Sequence, residues 1–189
     1  MPQEREGTIL VVDDEREVAD AYALRLRTRY GDVRTAYGGE EALAEMDDAV
    51  DVVLLDRRMP YSGDNVLRDL RDDGYDCRII MVTAVDPGFG IVDMPFDDYL
   101  CKPIDKEDLF AAIDQQLEAA SYDDPLTAFF SLAAKLAVLE AEHTSEQLAE
   151  STEYLRMQRR SETLREELMV SEENFAEMRE TFTAINRAR

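Results

Sequence analysis

Apolar residues in the first 120 positions alternate between short unbroken runs and longer, spaced stripes. The runs are largely β-branched, as in strands buried on both faces of a parallel sheet. The stripes repeat at intervals of three and four residues, as in helices with one apolar face. The predicted strands span 8–12, 33–36, 51–55, 78–82 and 98–101, and the predicted helices span 17–30, 40–48, 62–73 and 105–120, with only a short helix in 86–95.

This alternation of strand and helix predicts an α/β fold with a five-stranded, doubly wound parallel sheet and right-handed crossovers. Gly31 is expected to cap the first helix and Gly74 to stop the third. Polar residues follow four of the strands directly, and they are Asp13, Asp14, Asp56, Thr83 and Lys102. The carboxyl ends of parallel strands share one edge, so these side chains are expected to form a site there.

The charge is strongly negative, with 43 acidic residues against 21 basic ones and a net charge of −22. Such a surface argues against binding to nucleic acid or anionic lipid, and its self-repulsion is best screened in concentrated salt. We therefore predict a halophilic protein, which the scarcity of lysine also favours; the alternative is an ordinary acidic bacterial protein. No long apolar run or leader segment is visible, which favours the cytoplasm and no membrane contact. Cys77 and Cys101 are expected to be buried thiols and not a disulfide.

Closely spaced carboxylates repel one another unless a hard cation is present, and Mg²⁺ with carboxylates and water meets that need. Asp56 is then either a nucleophile toward a phosphoryl group or merely the end of a strand. A phosphatase of the haloacid dehalogenase type needs a second Asp two residues after the nucleophile, where this chain has Arg58. Phosphate-binding loops of the nucleotide-binding kinds are absent from the sequence.

Asp13-Asp14, Asp56 with Met59-Pro60, Thr83-Ala84, Tyr99 and Lys102-Pro103 together resemble the receiver domain of two-component response regulators, over about residues 7–120. The resemblance implies a flavodoxin-like fold in which Asp56 accepts phosphate from a histidine kinase or phosphotransfer protein. It implies Mg²⁺ ligation by Asp14, Asp56 and the Arg58 main-chain carbonyl, with Asp13 acting through water. It also implies that Thr83 and Lys102 contact the phosphoryl group, that Tyr99 is an aromatic switch, and that Lys102-Pro103 is a cis peptide.

Each of these residues also has a plainer interpretation. Thr83 could be an ordinary strand-end hydroxyl and Tyr99 an ordinary half-buried aromatic residue. Lys102 is one of only three lysines, which favours a role that arginine cannot fill. The side chains of Arg57 and Arg58 are expected to be solvated. Only two residues, Tyr61 and Ser62, separate Pro60 from Gly63, so the loop beside Asp56 is expected to be tight.

The tail, residues 121–189, is predicted to be helical, because it has no glycine and only one proline, near its start. An apolar stripe runs through Leu126, Phe129, Phe130, Leu132, Ala133, Leu136 and Leu139, and a heptad-like seam through Leu164, Leu168, Phe175, Met178, Phe182 and Ile185. A break near 143–145 or 151–152 would make a hairpin; without it the tail is one long helix. Residues 122–140 resemble the HalX domain of haloarchaea, over about 121–185. His143 is expected to be a surface residue and not a ligand.

These observations predict a receiver domain at 1–120 and a helical output domain at 121–189. The first hypothesis is a phosphorylation-switched response regulator that acts through protein contacts, with a homodimer left open. The alternative is a transcription regulator whose tail contacts DNA through Arg156, Arg159 and Arg160. A structural scaffold with a degenerate receiver is a third hypothesis, and the complete set of strand-end residues argues against it.

Overall fold

The computed structural model describes residues 5–84, 87–120 and 124–168. Within this part of the chain, five parallel strands form one sheet in the order β2-β1-β3-β4-β5. The predicted doubly wound α/β fold is therefore confirmed. The strands are β1 (Arg5–Val12), β2 (Tyr30–Ala36), β3 (Val52–Asp56), β4 (Arg78–Thr83) and β5 (Asp98–Cys101).

Helices cover both faces of the sheet. On one face, α1 (Arg16–Leu26) and α4 (Lys106–Ala119) bury the apolar side chains of alternate strand residues. On the other face, α2 (Gly39–Glu45) and α3 (Gly63–Asp72) pack over the remaining strand residues. Among the residues described between β4 and β5, which exclude 85 and 86, the only helical segment is the 3-10 turn Phe89–Ile91. A doubly wound sheet usually has a helix at this position that covers one face of the sheet. In this chain, helices of the tail cover that part of the face.

The prediction that Gly31 caps the first helix is wrong. Helix α1 ends at Leu26, and Gly31 lies inside β2. Tyr30 explains the difference, because its ring is buried against Phe110 and its hydroxyl donates to Asp114 at 2.8 Å. This tertiary contact extends β2 backward and stops the helix earlier than the apolar stripe indicated. Gly74, with a φ of +85°, does stop α3 as predicted.

The tail folds back on itself, so the hairpin is correct and the single long helix is wrong. It comprises α5 (Asp124–Glu142), α6 (Ser145–Glu150) and α7 (Thr152–Glu167). Both predicted breaks occur, and a side-chain cap marks each of them. The Thr144 side chain accepts from the backbone N–H of Gln147 in a capping box, and the Ser151 side chain accepts from that of Tyr154.

Helices α5 and α7 join the same apolar core as α2, α3 and the sheet. Val138, Leu139, Tyr154 and Met157 are buried in the cluster that contains Tyr99 and Cys101 of β5. Of the predicted stripe, Phe129 and Leu139 are buried, together with Lys135, which no apolar pattern indicated. In the heptad-like seam Leu164 is buried and Leu168 half-buried; its other positions lie outside the described residues, and the coiled coil stays a prediction.

Cys77 and Cys101 are buried free thiols, as predicted. His143 follows the end of α5 and packs its ring 4.4 Å from that of Phe89, half-buried, so the expected surface position is only partly right. Among the described helices, none is both long enough and apolar enough to cross a membrane.

Candidate functional site

Lys102 joins the strand-end carboxylates at the carboxyl edge of the sheet. Its ammonium donates to Asp13 Oδ2 at 2.5 Å and to Asp56 Oδ1 at 2.7 Å. The other carboxylate oxygens are held by the backbone, since the N–H of Glu15 donates to Asp13 Oδ1 and that of Arg58 to Asp56 Oδ2. Three strands, β1, β3 and β5, thus bring three charged groups together.

The charges in this cluster do not balance, because one ammonium serves two carboxylates. Burial raises the pKa of Asp56, and the proximity of Asp13 adds to it, while the Lys102 ammonium opposes the rise. Burial alone would lower the pKa of Lys102, but its bonds to the two carboxylates raise it. The lysine is therefore held protonated. The single positive charge of the Lys102 ammonium is shared between the two carboxylates. The anionic form of Asp56 is therefore only partly compensated and remains destabilised.

The other predicted site residues lie around this cluster at different depths. Thr83 is fully buried at the end of β4, one position beyond the residue paired with Asp56, and its carbonyl accepts from the Lys102 backbone N–H at 2.8 Å. Asp14 is exposed and lines an open cavity of about 580 Å³ with Tyr37 and Tyr61. The Lys102-Pro103 peptide is cis.

Tyr99 lies in β5 and is fully buried, with its ring 5.7 Å from that of Phe96. Burial raises the pKa of Tyr99 to about 12, although an interaction of its hydroxyl with the Arg57 guanidinium works in the opposite direction. The ring therefore faces inward in this structure.

The donor atoms at this edge suit a hard cation. Asp13, Asp14, Asp56 and the Arg58 carbonyl all offer oxygen, and the carboxylates carry more negative charge than Lys102 neutralises. Across residues 5–84, 87–120 and 124–168, no three acidic, histidine or cysteine side chains converge closely enough to hold a metal ion by themselves. A cation bound here would thus also need the Arg58 main-chain carbonyl and water as ligands, which is the arrangement that the resemblance to receiver domains implies.

Arg57 does not have the solvated side chain that was predicted for it. Its guanidinium makes a two-pronged ion pair with Asp64, at 2.9 and 3.1 Å, and its side chain is only 21% exposed. It also reaches the Tyr99 hydroxyl and lies 3.9 Å from the Met94 sulfur. No local pattern signals this role, because its partners come from a helix start, a loop and another strand. The Arg58 side chain is exposed, as expected.

The loop after Asp56 is tight, and Gly63 closes it. The Gly63 N–H donates to the Arg57 carbonyl at 3.1 Å. A Cβ at Gly63 would lie 2.2 Å from the Asp56 carbonyl oxygen and 2.9 Å from the Arg57 Cα. Both atoms belong to the backbone, which cannot swing aside as a flexible side chain could. The close approach of α3 to the end of β3 therefore requires glycine.

Gly63→Ala is expected to destabilise the fold by about 1–3 kcal/mol, the usual cost of overpacking. The added methyl must push the end of β3 away from α3 and disturb the position of Asp56. Denaturant unfolding at constant high salt measures the loss. Gly31→Ala is the matched control, since nothing lies within 4 Å of its added Cβ. Equal stability of the two variants would contradict the argument.

Two family models match this chain. The response regulator receiver domain matches residues 9–114, and the HalX domain matches residues 118–185. A Haloferax volcanii protein, named as a candidate transcriptional regulator, is 43% identical over 148 residues, which are 77% of this chain and 25% of that protein. The transcriptional regulatory protein CpxR of Klebsiella pneumoniae is 39% identical over 56% of this chain and 47% of its own length.

The fold is also similar to solved receiver structures. Response regulator TrrA of Thermotoga maritima, solved in complex with Mg²⁺-BeF, superposes with a TM-score of 0.51 at 30% identity, over 58% of this chain and 98% of that one. The chain spans between a quarter and about half of the length of the curated relatives named above.

Proposed function

Because the chain belongs to the response regulator receiver family and carries a HalX domain after the receiver, we propose that Asp56 accepts a phosphoryl group from a phosphohistidine and thereby switches the helical tail. Proteins of this family are response regulators of two-component systems, and the receiver is a phosphoacceptor and not a conventional enzyme. The donor proposed here is a histidine kinase or a phosphotransfer protein.

The observation that carries the proposal is the ammonium of Lys102 between two strand-end carboxylates. Asp56 lies at the carboxyl end of β3 with one oxygen on Lys102 and the other on a backbone N–H. An ammonium at this distance can stabilise the negative charge on the oxygens while Asp56 gains a phosphoryl group. A carboxylate that only ended a strand would not require a partly buried lysine shared with a second carboxylate.

In the proposed reaction an Asp56 carboxylate oxygen attacks phosphorus and the P–N bond of phosphohistidine breaks. The electron pair of that bond returns to the imidazole nitrogen, which takes up a proton, and Asp56 becomes an acyl phosphate. Lys102 stays protonated and contacts the phosphoryl oxygens, and Thr83 offers its hydroxyl at the end of the neighbouring strand. Water later cleaves the acyl phosphate and returns Asp56 to a carboxylate.

Asp14, Asp56 and the Arg58 carbonyl would hold Mg²⁺, with Asp13 acting through water. When bound, Mg²⁺ would neutralise charge on the phosphoryl oxygens. Tyr99 is proposed as the switch residue, because it lies in β5 under the tail. The proposal places the chain in the cytoplasm, where the phosphohistidine of a kinase is presented.

The output of the switch is proposed to be the tail, residues 121–189, acting through protein contact, with a homodimer as one form of it. DNA contact is less well supported. Arg156 of the basic cluster already pairs with Asp93 at 2.7 Å, and the net charge of −22 opposes binding to phosphates. The proposed boundary between the receiver domain and the output domain lies between residues 120 and 121.

The deciding experiment is intact mass after incubation with acetyl phosphate and Mg²⁺ in concentrated salt. The wild type is expected to gain one phosphoryl group, and a chelator of divalent cations is expected to prevent the gain. Transfer from a phosphorylated histidine kinase of a haloarchaeon then tests the natural donor chemistry. Folded protein that gains no phosphoryl group from either donor would refute the proposal and leave a binding scaffold.

Lys102→Gln is expected to slow phosphoryl uptake by about 10²- to 10³-fold, as for removal of one group that stabilises developing charge. The amide can still hydrogen-bond, but it brings no positive charge to the two carboxylates. Lys106→Gln is the matched control, since Lys106 is an exposed lysine of α4. The rates come from the rise of the phosphorylated mass with time. Equal rates in the two variants would remove Lys102 from the proposed reaction.

A further inference from the structure

The segment 91–97 lies between the Asp56 site and the tail, and side chains of the tail donate hydrogen bonds to its backbone carbonyls. Lys135 of α5 donates from its buried ammonium to the Met94 carbonyl at 2.6 Å, and lies 4.6 Å from the centre of the Phe96 ring. Ser131, one turn earlier on the same helix, donates to the Phe96 carbonyl at 3.0 Å. Any shift of this segment must therefore move α5 or break these bonds.

The receiver holds the same segment through Arg57. The guanidinium of Arg57 lies 3.9 Å from the Met94 sulfur and also interacts with the Tyr99 hydroxyl, while its fork is fixed on Asp64. Met94 is thus held at its side chain by Arg57 and at its carbonyl by Lys135. One residue separates the guanidinium from the tail.

The backbone of Arg57 is tied to the chemistry of Asp56. The Arg58 N–H donates to Asp56 Oδ2 at 2.7 Å, and the Arg57 carbonyl accepts from the Gly63 N–H at 3.1 Å. Phosphorylation adds negative charge and bulk to the carboxylate that holds this loop. The hydrogen bond from the Arg58 N–H must then readjust. Arg57 lies between Arg58 and the hydrogen bond that its own carbonyl accepts from Gly63, so its backbone is expected to move with that change.

We infer that Arg57 is the positioning residue that couples the phosphorylation state of Asp56 to the tail, through Tyr99 and Met94 to Lys135. The inference rests on the proposed function of Asp56. It needs arginine in particular, because only a planar fork can hold a carboxylate with two bonds while reaching two further groups. A lysine would reach one of these partners at a time.

The test compares hydrogen exchange of α5 amides with and without phosphorylation, with intact mass recorded on each sample. In the wild type, phosphorylation is expected to change exchange in 124–142 by about 5- to 150-fold, the usual range of coupling between two sites. Arg57→Gln and Arg57→Lys are both expected to take up phosphate and to reduce this factor to about twofold or less. Arg68→Gln is the matched control, an exposed arginine of α3 that should keep the wild-type response.

The outcomes separate the two proposals. A phosphorylated Arg57→Gln variant with the wild-type response would overturn the inference and leave the proposed function intact. A phosphorylated wild type whose α5 does not respond would overturn the inference and the proposed switching of the tail, and would leave only the phosphoacceptor role of Asp56. A wild type that takes up no phosphate would overturn both. If Arg57→Gln does not fold, Met94→Leu decides, because it removes the sulfur contact at nearly constant volume and is likewise expected to lose the response.

Discussion

Asp56→Asn is expected to abolish phosphoryl uptake while leaving the protein folded. The amide has the shape of the carboxylate, and its oxygen can still accept from Lys102 or the Arg58 N–H, but it is not a nucleophile toward phosphorus. Intact mass after acetyl phosphate and Mg²⁺ gives an all-or-none reading. Asp48→Asn is the matched control, since Asp48 is an exposed aspartate away from the site.

The pH dependence of unfolding free energy provides a second test of Asp56→Asn against the wild type. Burial raises the pKa of Asp56, so its neutral form is the one the folded state favours. Wild-type stability should accordingly fall as the pH rises through this raised pKa, and Asp56→Asn should lack that fall. Denaturant unfolding across the acid range at fixed salt measures it. Phosphoryl gain in Asp56→Asn would show that another residue accepts the group.

Leu139→Ala is expected to cost about 2–5 kcal/mol of unfolding free energy, as for other fully buried leucines. Leu139 belongs to the tail by sequence, but its side chain is fully buried in the cluster that contains Tyr99 and Cys101 of the receiver. The loss should therefore appear in the receiver and the tail together. Leu24→Ala, at the 69% exposed leucine of α1, is the matched control and should change little.

Unfolding followed by far-ultraviolet circular dichroism and by tyrosine fluorescence in concentrated salt checks this prediction. The two signals should give one coincident transition, which Leu139→Ala moves as a whole. A chain that ends after Ala120 should lose the same cover and unfold at a lower denaturant concentration. Two separate transitions, with only the helical one moved by Leu139→Ala, would mean that the tail is an independent domain.

Local pattern was sufficient for the order of strands and helices and for the site at their carboxyl edge. A strand buried on both faces must be an apolar run, so Val52–Leu55 and Ile79–Val82 are visible without a structure. Parallel strands end on one edge, which gathers Asp13, Asp56, Thr83 and Lys102 from their positions alone. The two break positions of the tail could be named as candidates, because Thr144 and Ser151 can cap helices through neighbouring backbone groups. The pattern left a single long helix equally open, and only the structure decided for the hairpin.

Pairings between distant segments could not be predicted in this way. The end of α1 depends on Tyr30 meeting Asp114, which lies 84 residues away. Arg57 was expected to be a solvated charge, and no apolar pattern indicated that Lys135 is buried. Only the folded chain supplies the carboxylate, carbonyl groups and aromatic rings around these two side chains. The sequence by itself determined the receiver fold and the composition of its site. Only the tertiary structure decided that the tail completes one face of the sheet, because burial there depends on which surfaces meet and not on local periodicity.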